Sequence, residues 1–492
     1  MTATAEQNFA GRLVERLGPY SYLIDAANPR TICPGDVPRR IAAYGASLLS
    51  AGLKKGDRVL IGSCLSPSAA LAYLGAIYAG LVAVPVEERT LRTSSSILLQ
   101  ATGAKAAWTE AGLAAGGNQE RSIPWLQGDL SRTDPNGMLP ARCLASDLAV
   151  LMATSGSMGA PRLVMVSHGN LIANTEAIIR RQQLASDERA MLILPLSYCF
   201  GASVLHTHLY QGGGVVFDRR FMFPDKVLEA VTQYECTTFA GVPTVYNALL
   251  RRSNIRGTAM PRLRRFLQAG GALTPQKVTE MREIFPLTKF YVMYGQTEAT
   301  ARISCMDPDR LAEKPGCVGR PLDNLSVSIV DEQEEELPRG QVGELFVKGP
   351  SISAGYWNDS EETRRVFANG WLRTGDLARQ DAEGFLWIEG RKAAFLKMRG
   401  MRVSFREVEE RVAAIPGVYE CATGAADHPE TGDALVLYIV PDRGARIVEA
   451  EVRRCLPAHW ALDSIRFVSE LPKTPAGKIA RSSLGDLAKE LR

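Results

Sequence analysis

The sequence predicts an α/β protein with a large N-terminal domain and a small α+β domain at its C-terminus. Short apolar runs alternate with helical patterns over most of the chain, this pattern changes after about residue 340, and a smaller α+β segment follows Arg391. The length of 492 residues exceeds what one hydrophobic core usually organises, so we expect at least two domains. We therefore predict domains at residues 1–390 and 391–492.

Strand and helix signals alternate along the first part of the chain. The predicted strands cover residues 58–63, 147–154, 191–196, 214–217, 237–242, 264–270 and 289–295. The predicted helices cover residues 69–80, 200–210, 224–235 and 274–285, the last with Thr274 as its N-cap. Strand–helix–strand alternation of this kind implies parallel sheets covered by helices.

The second part of the chain has a different character. From about residue 340, short strands such as GELFVKGP and GFLWIEGR are joined by Gly-rich turns. After Arg391, the predicted elements are helices at 404–415 and 448–456 and strands near 418–425 and 434–440. The boundary at 390 follows this change in character, because no Pro/Ser-rich linker is visible.

Composition and charge exclude several classes of protein. Lys plus Arg total 57 and Asp plus Glu total 53, and this net charge of +4 does not indicate a nucleic-acid partner. Nine dispersed cysteines without a CxxC pair indicate neither a disulfide framework nor a zinc site, and they favour a reducing cytoplasm. The uncharged stretch 59–86 is interrupted by Pro67 and Pro85, so we predict no membrane span.

Small and hydroxyl residues follow directly on the predicted strand 147–154. In the segment TSGSMGAPR (154–162), glycines let the backbone approach a ligand, while N–H groups and hydroxyls can surround phosphate oxygens. Arg162 adds a permanent charge. The segment does not fit the GxxxxGK[ST] pattern of a Walker loop. A plain Ser/Gly turn is the alternative interpretation.

The segment YVMYGQTE (291–298) ends a predicted strand with an aromatic ring, a hydroxyl and a carboxylate. Tyr294 can stack on a purine, Thr297 can hold a phosphate, and Glu298 can bind Mg²⁺ beside phosphates. The alternative is a strand end followed by a capped helix.

Three further segments carry charged residues on turns. In GWLRTGDL, Asp376 follows a Gly turn and can accept both hydroxyls of a ribose, although Gly-Asp is also common in plain turns. Gly390 and Arg391 precede a K..G.RV pattern at 397–403. The loop PKTPAGKI places Lys478 near the C-terminus, where a lysine is usually solvated.

These five segments occur in one chain and in one order. The ordered set resembles the adenylate-forming superfamily, which comprises acyl-CoA ligases, adenylation domains of peptide synthetases and luciferases, and the resemblance covers about residues 10–485. It implies a large N-terminal domain of two αβ-layered subdomains plus a distorted β-barrel, followed by a small mobile C-terminal domain. It also implies that ATP converts a carboxylic acid to acyl-AMP with release of pyrophosphate, before transfer to a thiol.

The resemblance implies roles for individual residues. Thr297 is implied to contact the α-phosphate, Glu298 to hold Mg²⁺, and Lys478 to bridge the substrate carboxylate and the α-phosphate. The residues implied to bind ATP are Thr154, Ser155, Gly156, Ser157, Gly159, Arg162, Gly271, Ala272, Tyr294, Gly295, Asp376 and Arg391. The residues implied to line the acyl pocket are Tyr198, Phe200, Gly201, Phe239, Gly241, Gly270 and Val292.

The sequence departs from the family pattern at three positions. Met158 stands where Thr is common, and Arg162 stands where Lys is usual, although Arg can also meet phosphate. Ala393, followed by Ala394, stands where an acidic or Lys hinge is often found. These alanines put the mechanics of the hinge in question and leave the adenylation site unaffected.

The segment FGASV (200–204) indicates which kind of carboxylic acid is the substrate. Amino-acid-activating relatives have Asp at the position of Gly201, where it pairs with the substrate ammonium, and a buried ammonium without a partner is costly. We therefore expect a fatty or other acid without an α-amino group, in preference to an aryl acid.

His206 and His208, at HxH spacing, fit packed histidines better than metal ligands, because two ligands rarely suffice.

The acceptor thiol is expected to come from outside the chain, because only about a dozen residues follow Lys478. It is either CoA or the phosphopantetheine of a separate acyl carrier protein. Two other hypotheses stay open: a stand-alone amino-acid-adenylating ligase that loads a carrier protein, and a non-catalytic nucleotide-binding protein.

Overall fold

The computed structural model describes most of the chain with its secondary structure. The described residues are 7–111, 123–154, 162–392, 395–398, 401–428, 432–442, 444–457, 460, 462–474, 477 and 479–484. The candidate hinge residues Ala393 and Ala394 lie outside these ranges.

The elements alternate in the first part of the chain as the sequence predicts. The strands are β1 Leu23–Asp25, β2 Arg30–Ile32, β3 Arg58–Gly62, β4 Val82–Val86, β5 Ala106–Thr109, β6 Trp125–Gln127, β7 Leu148–Thr154, β8 Arg162–Ser167, β9 Arg189–Leu192, β10 Gly214–Phe217, β11 Thr238–Gly241, β12 Arg265–Gln268, β13 Lys289–Tyr294, β14 Ser304–Cys305, β15 Arg320–Pro321, β16 Ser326–Val330, β17 Gly343–Lys348, β18 Phe367–Ala368, β19 Trp371–Gln380, β20 Leu386–Arg391, β21 Phe395–Met398, β22 Met401–Ser404, β23 Val418–His428, β24 Gly432–Pro441 and β25 Leu462–Phe467. The helices are α1 Phe9–Arg16, α2 Val37–Ser50, α3 Pro67–Tyr78, α4 Glu88–Thr93, α5 Ser95–Thr102, α6 His168–Gln182, α7 Cys199–Tyr210, α8 Pro224–Gln233, α9 Pro243–Arg252, α10 Pro275–Ile284, α11 Ser360–Val366, α12 Phe405–Ala413 and α13 Glu449–Cys455.

Two mixed sheets form the large domain. One has the order β6-β5-β3-β4-β7-β8 and the other β15-β14-β13-β12-β11-β9-β10-β1-β2. Within the second sheet, β13, β12, β11, β9, β10 and β1 are parallel, while β2, β14 and β15 pair antiparallel at its edges. The parallel strands therefore end at a common edge, where ligands of α/β sheets usually bind.

The remaining strands form smaller sheets. Strands β16, β17, β19 and β18 form an antiparallel sheet, and β20 also pairs with β19. The small C-terminal domain contains the hairpin β21-β22 and the sheet β23-β24-β25. It has its own apolar cluster around Val408, Leu437 and Val452, apart from the large core. The predicted fold class is confirmed.

The uncharged stretch is a buried strand–helix–strand unit, as predicted. Every residue of α3 is buried, and the Ser66 side chain caps the helix by accepting a hydrogen bond from the Ala69 N–H. No described helix is long and apolar enough to cross a membrane.

Two local predictions differ from the structure. The strand predicted at 191–196 is β9, which ends at Leu192; Pro195 lacks the N–H that a continuing ladder requires. Thr274 precedes α10 as predicted, but its hydroxyl makes no capping bond.

Candidate active site

The candidate site lies at the carboxyl edge of the parallel strands. Strands β11, β12 and β13 are neighbours in register, and their last residues are Gly241, Gln268 and Tyr294. Gln268 donates a hydrogen bond from Nε2 to the carbonyl of Gly271, at 2.8 Å. This bond fixes the turn after β12 that also contains the predicted nucleotide residue Ala272, which is exposed.

Three predicted nucleotide-binding residues meet directly. Asp376, on β19, accepts a hydrogen bond from the Tyr294 hydroxyl, and its other oxygen lies 2.8 Å from Arg391 Nε. Burial, followed by the nearby Asp376 carboxylate, raises the pKa of Tyr294 well above its usual value. The same carboxylate raises the pKa of Arg391. The structure thus joins the ends of β13 and β20 to the middle of β19 around one carboxylate.

Glu298 is held by a residue that the sequence analysis missed. The Tyr356 hydroxyl donates to Glu298 Oε1 at 2.9 Å, and burial together with this carboxylate raises the pKa of Tyr356. The guanidinium of Arg162 lies 5.0 Å from the Tyr356 ring centroid and forms an ion pair of 2.9 Å with Glu362. Tyr356 lies in no segment that was singled out, and only the fold brings it here.

The segment after β13 follows a tight path. A Cβ at Gly295 would lie 1.9 Å from the Ala301 carbonyl oxygen, so only glycine fits this approach. Thr300 has φ +66° and ψ −59°, and the Ala301 N–H donates to the Ala299 carbonyl at 2.8 Å, which together form a rare γ-turn. Strain of this kind persists only where the surroundings enforce it, often at functional sites.

The predicted catalytic residue Thr297 begins a short 3₁₀ helix, Thr297–Ala299. Its hydroxyl lies 3.5 Å from the sulfur of Cys199, the first residue of α7. This contact ties the segment after β13 to the helix that begins beside the predicted acyl pocket.

The predicted phosphate loop is described only at its ends. Thr154 ends β7, and its hydroxyl approaches the carbonyl of Arg162, the first residue of β8, at 3.4 Å. Four predicted phosphate ligands, Ser155, Gly156, Ser157 and Gly159, lie outside the described residues.

Lys478 also lies outside the described residues, but its neighbour Gly477 is described. The Thr244 hydroxyl donates to the Gly477 carbonyl at 2.8 Å. Thr244 lies in the first turn of α9, three residues after β11 ends. The loop of the small domain that contains Lys478 therefore contacts the large domain at the candidate site's edge of the sheet.

The predicted acyl-pocket residues have different surroundings. The rings of Tyr198 and Phe200 meet edge to face, with centroids 6.3 Å apart. Phe239 is fully buried and packs on Tyr246 and Phe266; these are contacts of a core residue, and its role in the pocket rests on the resemblance alone. Val292 is half-buried on β13.

Gly201 lies against the loop that precedes α7. A Cβ there would lie 2.3 Å from the Pro195 carbonyl oxygen and 2.7 Å from that of Leu194. An aspartate at this position is therefore incompatible with the loop as it stands.

The two histidines of the HxH string are hydrogen-bonded in the core. His206 Nε2 lies 3.1 Å from the Tyr73 hydroxyl, and His208 Nδ1 lies 3.3 Å or less from both the Thr207 hydroxyl and the Val204 carbonyl. Burial lowers the pKa of His206 to about 3 and that of His208 to about 4. This agrees with their interpretation as packed histidines.

The fold and the site together define a class, the two-domain adenylate-forming enzymes. The model of the AMP-binding enzyme family matches residues 23–357, and the model of the AMP-binding enzyme C-terminal domain matches residues 407–478. The chain belongs to the AMP-binding enzyme family. It is an acid–thiol ligase that uses ATP and CoA.

Relatives of known name cover nearly the whole chain. A feruloyl-CoA synthase of an Amycolatopsis species is 33% identical over 467 residues, which are 91% of this chain and 92% of that protein. A sulfoacetate–CoA ligase of Cupriavidus necator is 30% identical over 493 residues and 94% of each chain. The crystal structure of ATP-bound MatB from Rhodopseudomonas palustris has a TM-score of 0.88 at 26% identity and covers 99% of both chains.

Proposed function

We propose that the protein activates a carboxylic acid without an α-amino group to its acyl-AMP and then transfers the acyl group to CoA. The relatives include a feruloyl-CoA synthase and a sulfoacetate–CoA ligase, and these names differ too much to identify the acid that this protein activates. The steric conflict of an aspartate at Gly201 supports an acid without an ammonium, because no carboxylate can then stand at that position.

In the first half-reaction, an oxygen of the substrate carboxylate attacks the α-phosphorus of ATP. A new oxygen–phosphorus bond forms, the bond to the bridging oxygen of the β-phosphate breaks, and pyrophosphate leaves. Both reactants are anionic, so a cation between them stabilises the transition state. We assign this role to Lys478, with Thr297 at the α-phosphate. In the second half-reaction, the thiolate attacks the acyl carbon and AMP leaves.

The Gly477–Thr244 contact carries the proposal. It brings the residue before Lys478 to the edge of the sheet where Tyr294, Thr297 and Glu298 lie. We place the boundary between the domains at residues 390 and 391, at the end of β20. The small domain can then move as a unit between the two half-reactions.

Glu298 fits a magnesium site. Mg²⁺ is usually held by one or two carboxylates together with substrate phosphates, and Glu298 supplies one carboxylate that shares its neighbour Tyr356 with Arg162. Bound Mg²⁺ would neutralise phosphate charge. Tyr356 holds the carboxylate in place through Oε1, which leaves Oε2 for a cation.

The same proposal includes the thiol that accepts the acyl group and the cellular compartment of the protein. The relatives named as CoA ligases support CoA, and a separate acyl carrier protein is the alternative thiol. The dispersed cysteines support a cytoplasmic location. Incubation with ATP, an acid and either CoA or a carrier protein, followed by mass detection of the thioester, decides between the acceptors.

The variant Lys478→Ala tests the assignment. Pyrophosphate release should fall at least about 100-fold, the typical cost of removing one group that stabilises a transition-state charge. Thioester formation from supplied acyl-AMP should remain close to that of the unaltered protein. Lys473→Ala is the matched control, because Lys473 lies on the same loop but pairs with Glu420 at 3.1 Å within the small domain. Equal losses in both half-reactions would contradict the role of Lys478, and amino-acid-dependent exchange of pyrophosphate would favour the amino-acid-activating alternative.

A further inference from the structure

Arg302 is a buried cation for which the described part of the chain supplies no carboxylate partner. Its residue is only 2% exposed. Among the residues that the structure describes, no aspartate or glutamate forms an ion pair with its guanidinium, and its Nε makes no hydrogen bond. Burial lowers the pKa of Arg302, and the nearest groups that oppose this shift are the thiols of Cys305 and Cys199 and the phenol of Tyr198.

A second buried arginine shows how this fold usually treats such a charge. Arg265, on β12, is 7% exposed and forms an ion pair with the buried carboxylate of Glu188. An unpaired buried charge costs several kcal/mol, so buried arginines are normally paired in this way. The missing partner at Arg302 therefore indicates that an anion from outside the chain supplies it.

The backbone holds Arg302 firmly in place. The Asn174 side chain donates to its carbonyl at 2.9 Å and accepts from its N–H at 3.3 Å. The γ-turn at Thr300 lies two residues before it. The Asn174 amide and the strained turn thus both position a side chain for which the described residues supply no carboxylate.

The guanidinium faces the predicted acyl pocket. It lies 4.8 Å from the ring centroid of Phe200, itself a predicted pocket residue. Phe200 follows Cys199, whose sulfur lies 3.5 Å from the hydroxyl of Thr297. Arg302 and Thr297 therefore both contact the first two residues of α7, Cys199 and Phe200.

We propose that Arg302 determines the acid specificity of this enzyme and that it binds the second carboxylate of a dicarboxylic acid. This inference rests on the proposed function. One carboxylate reacts beside Thr297, and the remote one forms the bidentate ion pair that guanidinium geometry favours. The Phe200 ring, which now covers the guanidinium, turns aside when the diacid enters.

A panel of linear dicarboxylic acids, from malonate to adipate, tests the proposal. Each diacid is compared with its monomethyl ester, which keeps the length but removes the remote charge. Pyrophosphate release by the unaltered enzyme should show a kcat/KM about 100-fold higher for the best diacid than for its ester, mostly through KM, because the ion pair forms equally in ground and transition states.

Two variants separate recognition from structural support. Arg302→Met, which keeps the length without the charge, should abolish the preference for the diacid over its ester. Arg302→Lys should retain part of the preference, because it keeps the charge and loses the fork. Binding of ATP, followed by thermal shift, reports whether each variant is folded.

The outcomes distinguish the two proposals. If the unaltered enzyme turns over monocarboxylic acids or esters as well as diacids, the role of Arg302 is wrong and the proposed function stands. This comparison needs no variant, so a failure of Arg302→Met to fold does not affect it. If no acid of any kind releases pyrophosphate, the proposed function itself is wrong.

Discussion

The contact between Thr244 and Gly477 gives a prediction for how the small domain reaches the reacting groups. The variant Thr244→Val removes the hydroxyl that donates to the Gly477 carbonyl and preserves the shape of the side chain. If this hydrogen bond stabilises the arrangement that brings Lys478 to the site, the variant should slow adenylation and spare thioester formation.

The magnitude follows from the contacts between the domains. A neutral hydrogen bond contributes about 1 kcal/mol net, which corresponds to about fivefold in population. Two other contacts support the same arrangement and are unaffected: the Arg252 guanidinium lies 4.4 Å from the Tyr419 ring centroid, and Arg251 lies 4.0 Å from Asp442. We therefore expect a loss of about fivefold in adenylation, not an abolition.

The assay measures the two half-reactions separately. Acid-dependent pyrophosphate release reports the first, and conversion of supplied acyl-AMP to thioester reports the second. Thr258→Val is the matched control, since the Thr258 hydroxyl donates to a carbonyl at 2.8 Å within the large domain. An unchanged rate of pyrophosphate release in Thr244→Val, or the same loss in the control, would refute the reasoning.

Two further predictions concern stability. Gly201→Ala places a Cβ 2.3 Å from the Pro195 carbonyl oxygen and should lower the free energy of unfolding by about 1–3 kcal/mol, whereas Gly35→Ala, with no atom within 4 Å, should leave it nearly unchanged in denaturant unfolding. Burial lowers the folded-state pKa of His168 to about 4 and of His206 to about 3, below the unfolded value of 6.5, so the free energy of unfolding should fall as pH falls from about 7 to 4. In chemical unfolding at a series of pH values, His206→Phe should show a shallower decline, and an identical slope would contradict this assignment.

Periodicity predicted the elements well wherever one segment carries its own signal. GVVF is β10 at the predicted residues, and the helix predicted at 274–285 is α10 within one residue at each end. The early end of β9 was missed because apolar character continues to Leu196, while Pro195 interrupts the hydrogen bonding. The local sequence pattern indicates which residues are apolar, but it predicts less well where the hydrogen bonding between strands ends.

The residues of the candidate site could be predicted only where they belong to a recognisable sequence motif. Tyr294, Asp376 and Arg391 come from three motifs, and the structure brings them into contact, while their roles at a nucleotide stay a prediction. Tyr356 and Arg302 belong to no such motif. Their importance comes from partners distant in sequence, or from the absence of a partner, and neither property can be recognised before the chain is folded.

The carboxylate of Asp376 connects the proposed nucleotide site to the junction of the domains. Asp376 accepts from Tyr294, at the end of a strand in the main sheet, and pairs with Arg391, the last residue of β20. A carboxylate has about four acceptor sites, and we propose that the two hydroxyls of a ribose bind at this one. Because Arg391 stands at the proposed boundary, the ion pair at the proposed ribose site also anchors the point where the small domain begins.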